Sequence, residues 1–206
     1  MKTLDLIKEY QQYYLQPKNT VSLVQVPKMN FLMIDGKGSP NNNPDYSDAL
    51  GALYGVAYML KFAVKKGPLQ IDYKVMPLEG LWWTEDMSEF TLEDRGNWQW
   101  RMMIMLPDFI TPEMVTQSVE DVHKKKNPPR LSEVRFEIFE EGLSAQVFHL
   151  GPYGEAERPS VEKLHAYLKD NGYARRGRHH EIYFNSPLRT DPSKLKTIIR
   201  QPAEKI

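Results

Sequence analysis

The chain has 206 residues, with 27 Lys+Arg balanced by 27 Asp+Glu, 41% apolar residues and no Cys. That length fits one large domain or two small ones, and the zero formal net charge argues against DNA, RNA or an anionic membrane as the main partner. Without Cys there are no disulfides, thiolate zinc sites or Cys nucleophiles; the N-terminus MKTLDLIKEYQQYYL lacks a signal-peptide apolar run and no stretch is long enough for a membrane span, so a cytoplasmic protein is expected.

In chain order, residues 3–14 read as a short helix. VSLVQVP (21–27) and MNFLMID (29–35) read as two strands joined by a tight turn at Pro27-Lys28, and GKGSPNNNP (36–44) as a loop rich in turn residues. Residues 45–66 are the most regular helical pattern. Asp45 or Ser47 is placed to cap it, Leu50, Leu53, Tyr54, Ala57, Leu60 and Val64 recur at helical spacing, and Gly67-Pro68 stop it. LQIDYKVMPLEGLWW (69–83) reads as a strand running into an aromatic turn, TEDMSEFTLEDRGN (84–97) as an acidic excursion, and WQWRMMIML (98–106) as a strand. A helix is expected over 111–126, with Thr111 as N-cap and Pro112 at its first position. A hairpin over 133–151 turning at Glu141-Gly142 follows, then the loop PYGEAERP and a helix over 160–173 that ends at Asn171-Gly172. RGRHHEIYF and residues 195–201 read as the last strands.

Each half thus reads helix, hairpin, loop, helix, two strands. Matching elements lie roughly 100–115 residues apart, a spacing consistent with an internal duplication. Two such α+β units would carry helices on one face of each sheet and leave a cleft on the other faces or along the seam.

No motif announces a nucleotide or acyl-enzyme site. GKGS (36–39) lacks the phosphate-loop spacing and reads as a turn, and there is no G-x-S-x-G elbow. HHEIYFNSP (179–187) is more informative. As a strand it sets His179, Glu181 and Tyr183 on one face and His180, Ile182 and Phe184 on the other. Only His179 and Glu181 converge, and two ligands do not make a metal site, so no metal is expected. Glu181 is either a solvated edge residue or a carboxylate in a cleft beside Tyr183. In the second case desolvation raises its pKa, and it can meet a cationic ligand or act as general base on water. Spacing leaves both open. Glu155 suits a helix N-terminal turn, whereas Glu157 stays open between that role and chemistry. Arg175, Arg176 and Arg178 read as a solvated basic hairpin.

On the long helix, Tyr54, Tyr58 and Lys61 or Phe62 share one side, where rings either pack on the sheet or offer a hydroxyl to a cleft. The Trp residues form two pairs, Trp82-Trp83 and Trp98 with Trp100, followed by Met102, Met103 and Met105. Such clusters build cores, and they also line pockets for flat apolar ligands.

The stretches GPYGEAERPSVEKLHAYL and HHEIYFNSPLRTDPSKLKTIIRQP resemble the C-terminal half of GyrI-like small-molecule-binding proteins. LYGVAYMLKFAVKK and PLEGLWW resemble the branch in which that domain stands alone, and the likeness covers nearly the whole chain. It implies an α+β fold of tandem duplicated SHS2-like units: two antiparallel sheets with helices on one face, related by a pseudo-two-fold, around a central ligand cleft. Residues 1–206 are then a single domain with half-repeats 1–108 and 109–206.

Relatives in transcriptional activators sense hydrophobic, often cationic drugs through a cleft glutamate. No helix-turn-helix region accompanies the domain here, so a transcription factor is not expected. Stand-alone members include hydrolases that open the cyclopropane of DNA-alkylating toxins of the yatakemycin and CC-1065 type. The resemblance therefore implies a detoxifying hydrolase that needs no cofactor and takes a hydrophobic aromatic small molecule. The alternatives are a binding module that sequesters drug-like molecules without turnover, and a protein that binds a macromolecule such as a gyrase. The resemblance assigns the cleft glutamate to Glu181; in the mechanism expected for such a cleft, Tyr54 donates to the ligand oxygen and Glu181, or Glu157 as a second glutamate, deprotonates the attacking water. It assigns aromatic walls to Tyr54, Tyr58, Trp82, Trp83 and Trp100, and after them to Phe62 and Tyr183.

Overall fold

The fold is known from a computed structural model that describes residues 2–87 and 95–206; residues 88–94 of the acidic excursion lie outside the described residues. The segment expected as one helix over 3–14 is three short pieces: β1 (Lys2–Leu4), α1 (Leu6–Glu9) and α2 (Gln11–Tyr14). Tertiary pairing overrides the helical pattern at its start, because β1 runs parallel to a distant strand at Ile71–Tyr73, from Lys2↔Ile71 to Leu4↔Tyr73. Asp5 then caps α1 by accepting from the Lys8 N–H.

The two expected hairpins are instead single long strands, β2 (Val21–Lys37) and β6 (Arg135–Leu150), which lie antiparallel from Val21↔Val147 to Met33↔Arg135. Pro27 falls between the paired positions Val26↔Gly142 and Lys28↔Glu140, and Gly142 has φ +74°. Pro has no N–H for a ladder and a positive-φ glycine suits a bulge. The turn residues of the two strands therefore meet at one point and bend both strands, reversing neither.

The remaining strands are β3 (Ile71–Tyr73), β4 (Leu78–Trp83), β5 (Gln99–Leu106), β7 (Tyr173–Arg175), β8 (His179–Tyr183) and β9 (Lys196–Lys205). The expected aromatic turn at Trp82-Trp83 is the end of β4. The main sheet has the order β6-β2-β5-β4-β8-β9-β7, and β9 also pairs with β6, so six strands close into a barrel-like ring. Two separate antiparallel sheets do not form among the main strands, because β2 pairs with β6 and β4 with β8 across the seam. Counted outward from the β2/β6 seam, the order β2-β5-β4 is matched by β6-β9-β8.

Three longer helices complete the α+β fold: α3 (Pro44–Lys66), α4 (Pro112–Lys125) and α5 (Arg158–Asp170). Asn43 caps α3 by accepting from the Asp45 N–H at 3.0 Å, with Pro44 in the first turn, so the cap lies just before the residues expected to supply it. Thr111 caps α4 as expected. α3 packs over β2 and β5 and α5 over β6, β7 and β9. Both cover the outer face of the ring; the outer face of the β4–β8 pair forms the floor of the gap between them. Among the described residues no helix is long and apolar enough to cross a membrane.

Candidate functional site

The gap between the two helical sides is a cleft of about 1230 Å³. One wall is the face of α3 bearing Tyr46, Ser47, Leu50, Gly51, Tyr54 and Tyr58. The floor carries Trp82 from β4 and Glu181 and Tyr183 from β8. Arg95 and Trp98 close one side before β5 begins, and Tyr153, Gly154 and Glu157 enter from the 3-10 turn that precedes α5.

Strand alternation builds the floor. His179, Glu181 and Tyr183 point the same way, and the register sets them opposite Trp82, Gly80 and Leu78. Gly80 is required here, since a Cβ would lie 2.8 Å from Trp82 Nε1 and 2.6 Å from Met102 Cε. Its absence lets the Trp82 indole fold over the strand and donate to the Tyr183 hydroxyl at 2.9 Å. That hydroxyl, already an acceptor, donates its own proton to Glu181. His179 Nε2 holds Glu181 Oε1 at 2.9 Å.

Burial works to raise the Glu181 pKa, but the hydrogen bond and charge of His179, the Tyr183 hydroxyl and the charge of Arg95 outweigh it and bring it below the usual carboxylate range. The expectation that desolvation would raise Glu181 is thus reversed. The proton resides on Glu157, which is 1% exposed and pushed up to about 9, first by burial and then by the negative charge of Glu181. One Glu157 oxygen accepts from the Gly154 N–H; the other, Oε1, has no hydrogen-bond partner among the described residues. Gly154 has φ +82°, and a Cβ there would collide with the Arg95 guanidinium, so only glycine lets that cation reach the pair. The cleft therefore holds one ionised and one protonated carboxyl group at neutral pH, the arrangement of a base and an acid.

Phenols surround them. Burial holds the hydroxyls of Tyr46, Tyr54 and Tyr183 above their ordinary value, and pushes Tyr153 up to about 12, so all remain donors at neutral pH. The Tyr46 hydroxyl meets the weak acceptor Met102 Sδ, at 3.5 Å. The rings pack on each other, with Tyr46–Trp82 centroids 6.2 Å apart, Trp82–Trp98 5.1 Å and Tyr153–Tyr183 5.3 Å.

Of the residues singled out in the sequence, Glu181, Glu157, Tyr54, Tyr58, Trp82 and Tyr183 line the cleft. Three do not. Trp83 is on the opposite face of β4 from Trp82, under the Arg178 guanidinium at 3.6 Å. Trp100 shares the face of Trp82 but is fully buried, beneath the edge of Tyr46 and in the space that Gly36 leaves. Phe62 lies about 12 Å beyond Tyr54 along the α3 axis and is 46% exposed between Lys61 and Lys66. Glu155 is exposed and paired with Arg158. Tyr46, Arg95, Trp98 and Tyr153 were not singled out as site residues. Tyr46 was accessible in principle, two turns before Tyr54 on the same helical stripe.

The inner face of β8, where the strand alternation places His180 and Ile182, carries a buried charge network. His180 Nε2 meets Glu79 Oε2 at 3.0 Å and its Nδ1 meets Glu141 Oε1 at 2.9 Å. Arg200 donates to the second Glu141 oxygen at 3.0 Å, and Tyr14 donates to Glu79 at 2.6 Å. Burial opposes the imidazolium, yet the two carboxylates hold His180 up at about 9, while His180 and Arg200 overcome burial and hold Glu141 down at about 2. Phe184, expected on this inner face, turns into the cleft once β8 has ended. Among the described residues, no group of three or more His, Cys, Asp or Glu could hold a metal ion.

Residues 19–203 match the GyrI-like small molecule binding domain. The chain belongs to the GyrI-like family. This GyrI-like chain is similar along its length to an uncharacterized conserved protein from Listeria innocua, with 37% identity, 98% of this chain and 100% of that chain covered, and a TM-score of 0.89. It is likewise similar to two structures of hydrolases from Listeria innocua, at 37% identity with a TM-score of 0.88 and at 35% with 0.85, each covering 98% of this chain and 100% of the other. No curated protein matches it.

Proposed function

We propose that this GyrI-like protein is a hydrolase that adds water to the strained cyclopropane of hydrophobic DNA-alkylating toxins, detoxifying them in the cytoplasm without a cofactor. The observation that carries the reading is the split carboxyl pair: Glu181 ionised beside His179 and Glu157 protonated, both lining an aromatic cleft. The likeness to hydrolases from Listeria innocua points the same way.

In this reading the flat toxin stacks among Trp82, Tyr183 and the α3 tyrosines, which exclude water and fix its pose. Glu181 takes a proton from a water whose oxygen bonds to the cyclopropane CH2. The C–C bond breaks, and its electron pair passes into the ring as a phenolate. Tyr54, with Tyr46 beside it, donates a hydrogen bond to that oxygen, and Glu157 supplies the proton that makes the phenol. Return of the proton from Glu181 to Glu157 completes the cycle. Strain release and aromatisation drive the reaction, so no metal is called for.

A second reading, sequestration without turnover, draws on the same ionised Glu181: an anion on an aromatic floor also suits a hydrophobic cation. Incubating a spirocyclopropyl dienone with substoichiometric protein separates the two by ultraviolet spectrum and mass. Multiple-turnover water addition, slowed at least about a hundredfold by Glu181→Gln with binding retained, is expected of the enzyme. Binding with no turnover sinks the hydrolase reading, and full activity of Glu181→Gln removes Glu181 from the mechanism. We also propose that the two halves, 1–108 and 109–206, descend from one SHS2-like unit, a reading supported by the matched strand order about the β2/β6 seam.

A further inference from the structure

α3 contains two glycines, Gly51 and Gly55, and Gly67 follows it. Glycine inside a helix is destabilising relative to alanine, because it gives up more backbone freedom on folding. Each one therefore calls for a reason. Gly67 ends the helix, and a Cβ there would lie 2.6 Å from the Ala63 carbonyl oxygen. Gly55 faces α4, where a Cβ would touch Val122 Cγ1 at 3.6 Å. Gly51 has neither reason: it is exposed, and no described residue lies within 4 Å of where its Cβ would stand.

What Gly51 does face is the cleft, on the stripe it shares with Ser47, Leu50 and Tyr54. With the small Ser47 one turn before it, Gly51 leaves a recess in the wall between the Leu50 and Tyr54 side chains. Helix backbone forms the base of this recess. Its N–H and C=O groups are already used within the helix, so the recess offers dispersion contact and no hydrogen bond.

We infer that Gly51 sets the width of the ligand cleft: a flat, fused-ring ligand lies against bare α3 backbone at this position, beside the Tyr54 ring, and any side chain at 51 takes its space. The helix thus carries a destabilising residue where a ligand, and none of the described residues, would meet the missing Cβ. The inference rests on the cleft being the ligand site and is independent of whether the ligand is turned over.

The full-length protein is titrated with acridine orange, a flat fused-ring cation, following quenching of the tryptophan emission to which Trp82 and Trp98 of the cleft contribute. Gly51→Ala and Gly51→Leu are compared with wild type. Both residues favour helix and meet open space, so both variants are expected to melt at or above the wild-type temperature, Gly51→Ala by about 2 °C. Gly51→Leu is expected to weaken acridine orange binding about tenfold or more, and Gly51→Ala by less. Wild-type affinity in Gly51→Leu overturns the role of Gly51. Failure of the wild type itself to bind the probe overturns the use of this cleft by flat aromatic ligands, and the inference with it. A lower melting temperature in both variants would assign Gly51 to packing and overturn it equally.

Discussion

Glu157→Gln tests the protonation split directly. A carboxyl group held at about 9 in the folded chain, against an ordinary 4.5, keeps its proton where the unfolded chain has released it. Its stabilising contribution is therefore fully present below pH 4.5 and is lost as pH rises toward 9. Inside that window each pH unit costs the folded state about 1.4 kcal/mol, so the Glu157 share of the loss between pH 5.5 and pH 8.0 is about 3 kcal/mol. Glutamine has the shape of the protonated acid. Its carbonyl oxygen can still accept from the Gly154 N–H, while its amide cannot ionise. At pH 5.5 the variant is expected within about 1 kcal/mol of wild type. At pH 8.0 it should be the more stable of the two by about 3 kcal/mol. Urea midpoints followed by tryptophan fluorescence at both pH values give the double difference, in which every other titrating group cancels. If the wild type and the variant lose stability in parallel across this range, Glu157 is ionised throughout and the acid–base assignment fails.

Two further substitutions probe the layers around the site. Arg200→Met leaves buried Glu141 with a single cationic partner, His180, and should cost about 3–5 kcal/mol in urea denaturation; a loss below about 1 kcal/mol would show that the inner network is not a closed set of charges. Trp100→Ala opens a cavity in the core under Tyr46 and should cost about 3–5 kcal/mol, whereas Trp83 is half-buried at the margin of the core beneath Arg178, so Trp83→Ala leaves a site open to water and should cost about 1–2 kcal/mol. Thermal melts of the two variants that fall together would contradict their placement on opposite faces of the sheet, Trp83 on β4 and Trp100 on β5.

The features legible in the sequence are those with a local cause. Helical spacing marked α3 and α4, and the Thr111 and Pro112 signals fall where α4 begins. The period of two put His179, Glu181 and Tyr183 on one face, and the 2.9 Å contact between His179 and Glu181 follows from that parity alone. The motifs of residues 53–66, 77–83, 151–168 and 179–202 were enough to point to the GyrI-like family.

Other features depend on distant segments. Pro27-Lys28 and Glu141-Gly142 look like turns in isolation, and become bends only because β2 and β6 lie against each other. Trp82, Trp83 and Trp100 are indistinguishable as aromatic residues, and strand register together with the cover of Tyr46 decides that only Trp82 meets the cleft.

Chain parity could place Glu181 on a face, but it could not say which charges would arrive there. Arg95 and Glu157 come from other parts of the chain, as does Glu79, 101 residues from the histidine it holds on the reverse face. A side chain's direction is a property of its own strand and is written locally. Its proton affinity is a sum over every charge and hydrogen bond brought within reach, and that sum exists only once the ring of strands has closed.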